Sequence, residues 1–395
     1  MFKLRKQFAA AFTVLAVAVL AACGGGGSSP APTSGTGNLR VALTDAPSCG
    51  YSAVNVTVQK VRVHQSASAS DSDPGWSEVV LNPAQRVDLL TLTNGVLSEL
   101  GQTPLAAGKY TQMRLVLASN DSANPMANSV VPDSGTETAL TTPSAQQSGL
   151  KMNVDIDIAP GKLADFVLDF DACKSIVRAG NSGRYLLKPV VRVIPRYISG
   201  VAGFVDATLA NGNTSVTLQQ GGQVVRSSVP DSSGQFLLRP VAPGTYDLVI
   251  TAPGRVTEVV TGVPVASDSV TAVNSSTSLL SAPSSATGVA GGSVTTGVSP
   301  IDATVRATQV LGNGEHIEVA SGPVDSSNGS YSFTLPTAAT QVAAYAAAPA
   351  TLSFAADAAT AGKYVVEASS NGTVKSAGPI TLSAGGTATT NFTFP

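Results

Sequence analysis

Histidine and charged residues are scarce in this chain of 395 residues. It has two histidines, His64 and His316, and charged residues make up 12% of the sequence. Histidine is the side chain most often used for proton transfer near neutral pH, and we expect these two at solvated strand ends or loops. The sequence also lacks a GxSxG elbow, an HExxH pair and an SxxK motif with its downstream boxes. We therefore expect no enzyme activity.

Metal, nucleotide and nucleic-acid sites lack their usual sequence patterns as well. The three cysteines and two histidines provide no quartet with zinc-ligand spacing. Gly288, Gly291 and Gly292 are not followed by GKS or GKT, so they do not predict a phosphate-binding loop. Nucleic-acid binding requires a basic footprint, and the chain has 23 basic against 25 acidic residues. We expect no metal, no cofactor and no nucleic-acid partner.

The first 22 residues have the layout of a signal peptide. Three basic residues precede an uncharged run at residues 8–22, which is shorter than the roughly 20 apolar residues of a spanning helix. The run ends in LAAC at residues 20–23, and this motif resembles the lipobox of bacterial lipoproteins. The resemblance implies that residues 1–22 are removed and that Cys23 becomes the acylated first residue. The alternative is an ordinary secretory signal cleaved near Ala22, with the cysteine incidental.

A Gly, Ser and Pro tether follows the predicted lipid anchor, over residues 23–37. Chains of this composition are flexible. In enterobacterial lipoproteins, an Asp directly after the lipidated cysteine resembles a signal for retention in the inner membrane. This chain has Gly24 at that position, which favours the outer membrane. Removal of the leader leaves 20 basic and 25 acidic residues, a net charge of −5. The expected partner is a membrane, reached through the lipid, with the body facing the periplasm or the cell surface.

Cys49 and Cys173 remain once Cys23 carries lipid. An even number of cysteines in an exported protein favours pairing, so we expect one disulfide between these two. Two buried thiols are the alternative. A redox or metal pair is not expected, because no neighbouring residues have the spacing that those chemistries need.

Alternation of apolar and polar residues predicts strands along residues 38–198. Valines recur at every second position between residues 54 and 63, and the pattern slips by one residue at Gln59 and Lys60, as a β-bulge would cause. A turn-forming segment at residues 66–75 separates this strand from the next, which predicts a hairpin. We predict an all-β fold in which a β-sandwich-like domain is followed by two smaller tandem β-sandwich modules.

Six ordered motifs in the first domain resemble one family. They are LTDAP, VDLLTL, AGKYTQMRL, TPSAQQSGLK, LDFDACKSI and LKPVVRV, which begin at residues 43, 87, 107, 142, 168 and 187. Together they look like the domain-of-unknown-function family 4382. The resemblance implies an exported bacterial module that is frequently lipid-anchored, and it supplies no activity, ligand or catalytic residue. The polar loop TPSAQQSGLK either caps a hairpin or displays a contact surface.

A degenerate repeat follows the first domain. VPDSSGQFLL from residue 229 is echoed by PVDSSNGSYSFTL from residue 323, and GTYDLVITA from residue 244 by GKYVVEAS from residue 362. In each copy, Asp and Gly turn the chain before a strand led by an aromatic residue. Both copies resemble the transthyretin-like fold of carboxypeptidase regulatory-like domains, so we place modules at residues 199–283 and 284–395.

Two segments do not follow the repeat. An alanine-rich insert at residues 337–361 replaces a short link of the first copy, and we expect a helical excursion or a long loop there. Residues 276–287 have the composition of a linker between the two modules.

Five aspartates lie close together in the first domain: Asp155, Asp157, Asp165, Asp169 and Asp171. Paired acids hydrolyse glycosides when they lie about 5–9.5 Å apart, and residues two apart on a strand are separated by about 6.6 Å. Calcium binding through carboxylate oxygens is a second interpretation. The interpretation that we favour places the acids on the solvent face of two strands, with the alternating apolar residues in the core.

The sequence leaves three functional hypotheses. The first, which we favour, is a noncatalytic, lipid-anchored cell-envelope protein that acts as a structural spacer or as a surface for a protein or glycan ligand. The second is a carbohydrate-binding or carbohydrate-processing lipoprotein that uses the acids and Trp76, although sugar sites usually combine several aromatic platforms and this chain has one tryptophan. The third is assistance in assembling envelope proteins, which rests on the module class alone.

Overall fold

The computed structural model describes residues 35–45, 50–142, 149–347 and 350–395, and these are almost entirely β-strands and their connections. The all-β class predicted from the alternation is confirmed. The described residues fall within one compact unit, Ser34–Pro395. The leader, Cys23, most of the predicted tether and Cys49 lie outside the described residues.

The first module is built from strands that alternate buried and exposed side chains. Its elements are β1 (Thr36–Asp45), β2 (Tyr51–His64), β3 (Ser77–Asp88), β4 (Ser98–Ala106), β5 (Gly108–Leu117), β6 (Ser129–Pro132), β7 (Thr138–Thr141), β8 (Leu150–Ile158), β9 (Leu163–Phe170), helix α1 (Ala172–Ser175), β10 (Ile176–Arg178), β11 (Tyr185–Leu187) and β12 (Val191–Pro195).

Two sheets enclose the core of this module. A four-stranded sheet has the order β12-β9-β1-β4, and an eight-stranded sheet has the order β10-β11-β7-β6-β2-β5-β8, with β3 beside β2. Fully buried side chains from both sheets share one core, among them Leu43, Val58, Met113, Leu115 and Phe170. Burial of each such side chain contributes about 1.5–3 kcal/mol, so alternation along these strands fixes which face points inward.

The irregularity predicted within β2 is confirmed. The register of β2 shifts between Val58 and Lys60 against two of its neighbours, β3 and β5. An extra residue at this point accommodates the change of buried face that the valine pattern indicated. The hairpin predicted from the same segment is also present, because β2 pairs antiparallel with β3.

The middle module has seven strands of its own. They are β13 (Gly200–Phe204), β14 (Ser215–Gln220), β15 (Gln223–Ser228), β16 (Gln235–Leu238), β17 (Gly244–Thr251), β18 (Glu258–Val265) and β19 (Val270–Ala272). A sheet of order β16-β13-β19 faces strands β15-β14-β17-β18 across a core that includes Val201, Leu218, Phe236 and Leu248. Seven strands in two facing sheets agree with the transthyretin-like fold that the repeated motifs predicted.

The third module repeats the two-sheet plan. Its strands are β20 (Thr287–Thr295), β21 (Thr304–Val310), β22 (His316–Pro323), β23 (Ser330–Pro336), β26 (Lys363–Ser370), β27 (Thr373–Thr381), β28 (Thr387–Thr389) and β29 (Phe392–Thr393), while β24 (Gln341–Ala344) and β25 (Ala355–Ala356) leave the module. One sheet has the order β23-β20-β28 with β29 also beside β20, and the other has the order β22-β21-β26-β27.

The repeated turns form as the sequence predicts. The Asp231 carboxylate accepts hydrogen bonds from the backbone N–H groups of Ser233 and Gln235, immediately before β16. The Asp325 carboxylate accepts equivalent bonds from the N–H groups of Ser327 and Asn328 before β23. Aspartate side chains commonly stabilise turns in this way, so the two copies share a local structure as well as a motif.

The helical excursion or long loop expected for the alanine-rich insert is only partly present, because its described residues form two strands and one turn of 3-10 helix at Ala358–Thr360. Strand β24 pairs in parallel with β18 of the middle module, and β25 extends the same sheet. Tyr345, Leu352 and Phe354 pack against the middle core. The third module thus contributes a strand and apolar side chains to its neighbour.

The segment predicted as a linker is also packed. Leu280 and Ala282 are 2% and 1% exposed and belong to the middle core. The Leu280 N–H donates to Phe204 O at 3.0 Å, and its carbonyl accepts from Asp206 N at 2.8 Å. Most residues of this connection are exposed, but these two buried side chains and the backbone hydrogen bonds of Leu280 attach it to the middle module.

Candidate functional site

The predicted disulfide concerns one described and one undescribed cysteine. Cys173 lies in helix α1, and Cys49 lies outside the described residues. The Asp45 carboxylate, at the end of β1, accepts a hydrogen bond from the backbone N–H of Ala172 at 3.0 Å. Asp45 precedes Cys49 by four residues, and this contact places it against the helix that carries Cys173. The pairing, like the acylation of Cys23, stays a prediction.

The aspartates of β8 and β9 are dispersed. Asp155 and Asp157 are exposed on β8 as expected, and Asp155 pairs with Lys109 at 2.7 Å. Asp165 on β9 pairs with Arg40 of the neighbouring strand. Asp171 accepts a hydrogen bond from Lys174 N at 3.0 Å and caps helix α1. Asp155, Asp165 and Asp171 each have a different structural partner. This arrangement does not favour catalysis by a pair of acids.

Asp169 does not lie on a solvent face, so that part of the expectation is wrong. It is 8% exposed because strand β15 of the middle module covers it. The Arg226 guanidinium, 2% exposed, forms an ion pair with the Asp169 carboxylate and donates to Thr44 Oγ1 at 2.9 Å. Burial raises the pKa of Asp169, and the Arg226 charge opposes that shift.

A second polar junction joins all three modules at Glu318 on β22. Its carboxylate lies 3.6 Å from Lys174 Nζ of the first module and 3.7 Å from Arg306 Nη1 of the third. The side chain of Gln219, from the middle module, accepts from Glu318 N at 2.7 Å and donates to Glu318 O at 2.8 Å. No sequence pattern indicated the contacts with Lys174 and Gln219, because these residues lie 99 or more positions before Glu318 in the chain.

Trp76 does not present a free platform. The guanidinium carbons of Arg62 and Arg114 lie 4.5 Å and 4.6 Å from its ring centroid, and the His64 ring lies 5.0 Å away. The indole N–H donates to Ser70 O at 3.0 Å. These cation–π contacts and the hydrogen bond hold the hairpin turn, and they occupy the aromatic surface that a sugar would need. His316, by contrast, is exposed at the start of β22.

A cavity of about 700 Å³ lies between the first and third modules. Its lining includes Leu150 and Lys151 from the end of the TPSAQQSGLK motif, Lys188 and Val190 from the LKPVVRV motif, and Asp302 of the third module. Lys188 Nζ lies 3.3 Å from Asp302 Oδ1. Two motifs that the sequence singled out therefore meet at one concave surface, which is where ligand sites usually form.

The surroundings of this cavity combine basic and apolar groups. Lys151 is exposed, and it pairs across the sheet with Arg114, which in turn lies opposite Arg62. Residues 143–148 of the TPSAQQSGLK motif lie outside the described residues. The cavity is the candidate functional site, and its exposed charged side chains are Lys151 and Asp302, of which Asp302 is paired with Lys188.

The described residues contain neither a metal-binding cluster nor a membrane-spanning helix. No group of three or more His, Cys, Asp or Glu side chains in the described part of the chain could hold a metal ion. No helix among the described residues is long and apolar enough to cross a membrane.

Comparison with protein families identifies two segments. Residues 36–189 match the family described as a domain of unknown function, DUF4382, and residues 201–279 match the carboxypeptidase regulatory-like domain. Both resemblances inferred from the sequence motifs are confirmed for these segments. The assignment of the third module to the same regulatory-like fold stays a prediction.

Comparison with curated proteins gives no match. Among solved structures, a type II cohesin–X-dockerin complex from Acetivibrio cellulolyticus matches at 26% identity and TM-score 0.18, over 22% of this chain and 58% of that one. The Bacillus anthracis TIE protein matches at 11% identity and TM-score 0.16, over 91% and 51%. BcpA, the major pilin subunit of Bacillus cereus, matches at 12% identity and TM-score 0.15, over 91% and 99%. TM-scores this low do not indicate a shared fold or a shared function.

Proposed function

We propose that this chain is a noncatalytic, lipid-anchored cell-envelope protein whose three β-modules act as one rigid body that presents a binding surface. The observation that carries the proposal is the buried ion pair between Asp169 and Arg226, which joins two modules. A charge pair removed from water is strongly favoured over separated buried charges, so the modules resist movement at this point.

Further contacts support rigidity. Linked domains usually move relative to one another when their interface is small and polar. Here the connection at residues 276–287 is packed into the middle core, strand β24 crosses to the middle sheet, and Glu318 contacts side chains of three modules. A rigid arrangement suits a structural spacer that keeps a surface at a defined distance from the membrane.

The binding surface that we favour is the cavity beside Lys151 and Lys188. It is concave, mixes apolar and charged groups, and lies between modules, which are common features of binding sites. A protein or glycan chain that carries carboxylates is the ligand class that the exposed Lys151 suits. The carbohydrate-processing alternative has less support, since the acids are dispersed among structural ion pairs and Trp76 is covered by arginine side chains.

Two measurements test the proposal on residues 34–395, which form one compact unit. Small-angle X-ray scattering should match the compact arrangement, and an expanded or multi-state profile would contradict the rigid body. An array of envelope glycans and cross-linking to envelope proteins should give a ligand whose retention is lost in Lys151→Glu. Lys162→Glu, an exposed change on another loop, is the control, and equal retention by both variants would exclude the cavity.

A further inference from the structure

A second cavity lies at the end of the middle core, away from the surfaces described above. It has a volume of about 200 Å³ and is lined by apolar side chains that include Leu280, Leu352 and Phe354, together with Glu258 and Gln341. The insert of the third module supplies three of these five residues. The cavity exists because the insert docks on the middle sheet, so the isolated middle module would not form it.

Glu258 is the charged group of this cavity, and it lacks a full set of partners. It is the first residue of β18 and is 4% exposed. Residues two apart on a strand face the same side, so Glu258 points as Val260 does, toward the middle core. Its Oε2 atom is buried and has no hydrogen-bond partner among the described residues. An ionised carboxylate that is buried without a full set of hydrogen-bond partners destabilises the folded state, unless a proton or a cation neutralises its charge.

The neighbouring groups leave the site negative. Asp206 is the nearby acid, and its charge acts on Glu258 in the direction that disfavours a second negative charge. A backbone N–H at Ser281 donates to Glu258 and partly opposes this effect. Arg255, on the same side, donates to Ala282 O at 3.2 Å and interacts with Asp206. Burial, the largest cause, raises the pKa of Glu258 to about 7.

We propose that this cavity is a binding site for a primary ammonium group on a short aliphatic stem, with the Glu258 carboxylate as its counter-charge. An ammonium supplies both the charge and the N–H donor that Oε2 lacks. The stem would lie against Leu352 and Phe354. An apolar cavity of about 150 Å³ accommodates benzene, so about 200 Å³ accommodates a four-carbon amine.

Other ligand classes fit less well. An anion would meet two carboxylates, Glu258 and Asp206, with one arginine nearby. A neutral alcohol could donate a hydrogen bond but would leave the charge uncompensated. A divalent cation prefers several oxygen ligands in a defined geometry, and no metal-binding group is found in the described part of the chain. The same ammonium chemistry is offered by a free amine and by a lysine side chain of a partner.

Calorimetry and NMR on residues 34–395, the compact unit, test this proposal. The probes are n-butylammonium, the neutral n-butanol and Nα-acetyl-lysine amide, each at pH 8 and pH 5.5. We expect n-butylammonium to bind at pH 8, to bind about tenfold or more weakly at pH 5.5, and to outcompete n-butanol, because the proton and the ammonium compete for one carboxylate. Binding of the lysine amide would favour a partner's side chain over a free amine.

Glu258→Gln is the decisive variant, since it keeps the shape of the side chain and removes the charge. It should weaken n-butylammonium binding at pH 8 about tenfold or more, which is the worth of a charge-assisted hydrogen bond. Gln220→Glu, an exposed change at the end of strand β14 in the same sheet, should leave binding unchanged. Absence of binding by wild type, or equal binding by Glu258→Gln, would overturn the proposal. These outcomes do not bear on the Lys151 cavity, which is tested separately.

Discussion

Arg226 joins the middle module to the first through contacts with Asp169 and Thr44, and all three side chains are buried. Replacement of Arg226 by Met keeps the aliphatic stem and leaves the Asp169 carboxyl without its counter-charge. Removal of one member of a buried pair costs about 3–5 kcal/mol. We therefore expect Arg226→Met to lower the free energy of unfolding, measured by urea titration, by about 3 kcal/mol.

A matched control exists in the same sheet. Arg40 pairs with Asp165 one strand away, and its side chain is 38% exposed. Exposed pairs contribute about 0–1 kcal/mol, so Arg40→Met should have a much smaller effect. The double variant Asp169→Asn with Arg226→Met should recover part of the loss, because no uncompensated charge stays buried. Equal effects of the two single arginine variants would show that the Arg226 pair does not stabilise the junction.

Glu258 makes the stability of the folded chain depend on pH. Its pKa of about 7 in the folded chain lies above the ordinary value of 4.5, so the folded state holds the proton more tightly than the unfolded state. The stabilisation is fully present below about pH 4.5 and is lost as the pH rises through about 7. A shift of this size corresponds to about 3 kcal/mol.

The measurement is a urea titration at several pH values, compared between wild type and Glu258→Gln. Wild type should lose stability between pH 5 and pH 8 relative to the variant, which has no proton to release at that position. Parallel pH profiles of the two proteins would contradict a raised pKa at Glu258. The comparison of profiles cancels the contributions of other titrating groups.

At the scale of single residues, sequence could predict local roles but not partners across modules. The solvent position of Asp155 and Asp157 and the turns at Asp231 and Asp325 follow from short-range patterns of alternation and side-chain hydrogen bonding. Asp169 occupies a position in the apolar–polar alternation of β9 that predicts an exposed residue. It is buried because Arg226, 57 residues later, lies over it, and no periodicity in the sequence records that contact.

Strand β24 is the strand of the third module that hydrogen-bonds to the middle sheet and extends it. Its pairing with β18 is parallel, and Ala343 lies opposite Val260 and is 2% exposed. Proline cannot donate to a strand ladder, and its ring disturbs a paired strand. We expect Ala343→Pro to detach β24 and to raise the hydrogen-exchange rate of the amides in β18 about tenfold or more.

Hydrogen-exchange mass spectrometry on peptides that span β18 and β14 provides the test. The β14 amides should keep their protection, since that strand pairs with β15 and β17 on its two sides. Ala347→Pro is the control variant, because Ala347 is exposed and lies outside any strand. Unchanged protection of β18 in Ala343→Pro would mean that β24 does not support this edge.

The strands and the insert differ in how much of their structure sequence could predict. β2 and β8 carry period-two patterns, so their existence and their buried faces followed from the residues alone. The insert has a run of alanines with no period, and alanine has a high helix propensity. It forms a strand because the open edge of β18 offers backbone partners, and tertiary pairing outweighs the local preference.

At the scale of the whole chain, the described residues form one body, and the predicted anchor decides where that body is held. Without residues 1–22 the chain has a net charge of −5, so electrostatic attraction to anionic lipid headgroups would not bind it to a membrane. Each buried methylene of an acyl chain contributes about 0.8 kcal/mol, and stable anchoring needs more than one chain. Lipid on Cys23 would therefore supply the attachment that the acidic body does not.

The prediction at this scale is that Cys23→Ser abolishes labelling by an alkynyl fatty acid and releases the protein from the membrane fraction. The cause is the loss of the thiol to which acyl groups are attached, while the leader still directs export. Cys49→Ser is the matched control, because it removes a cysteine 26 positions later and leaves the LAAC motif intact. Labelling should persist in that variant, and labelling that persists in Cys23→Ser would exclude the lipid anchor. Retention in the membrane without labelling would instead place the attachment in the body, where Lys151 and the adjoining cavity would be the first surface to test.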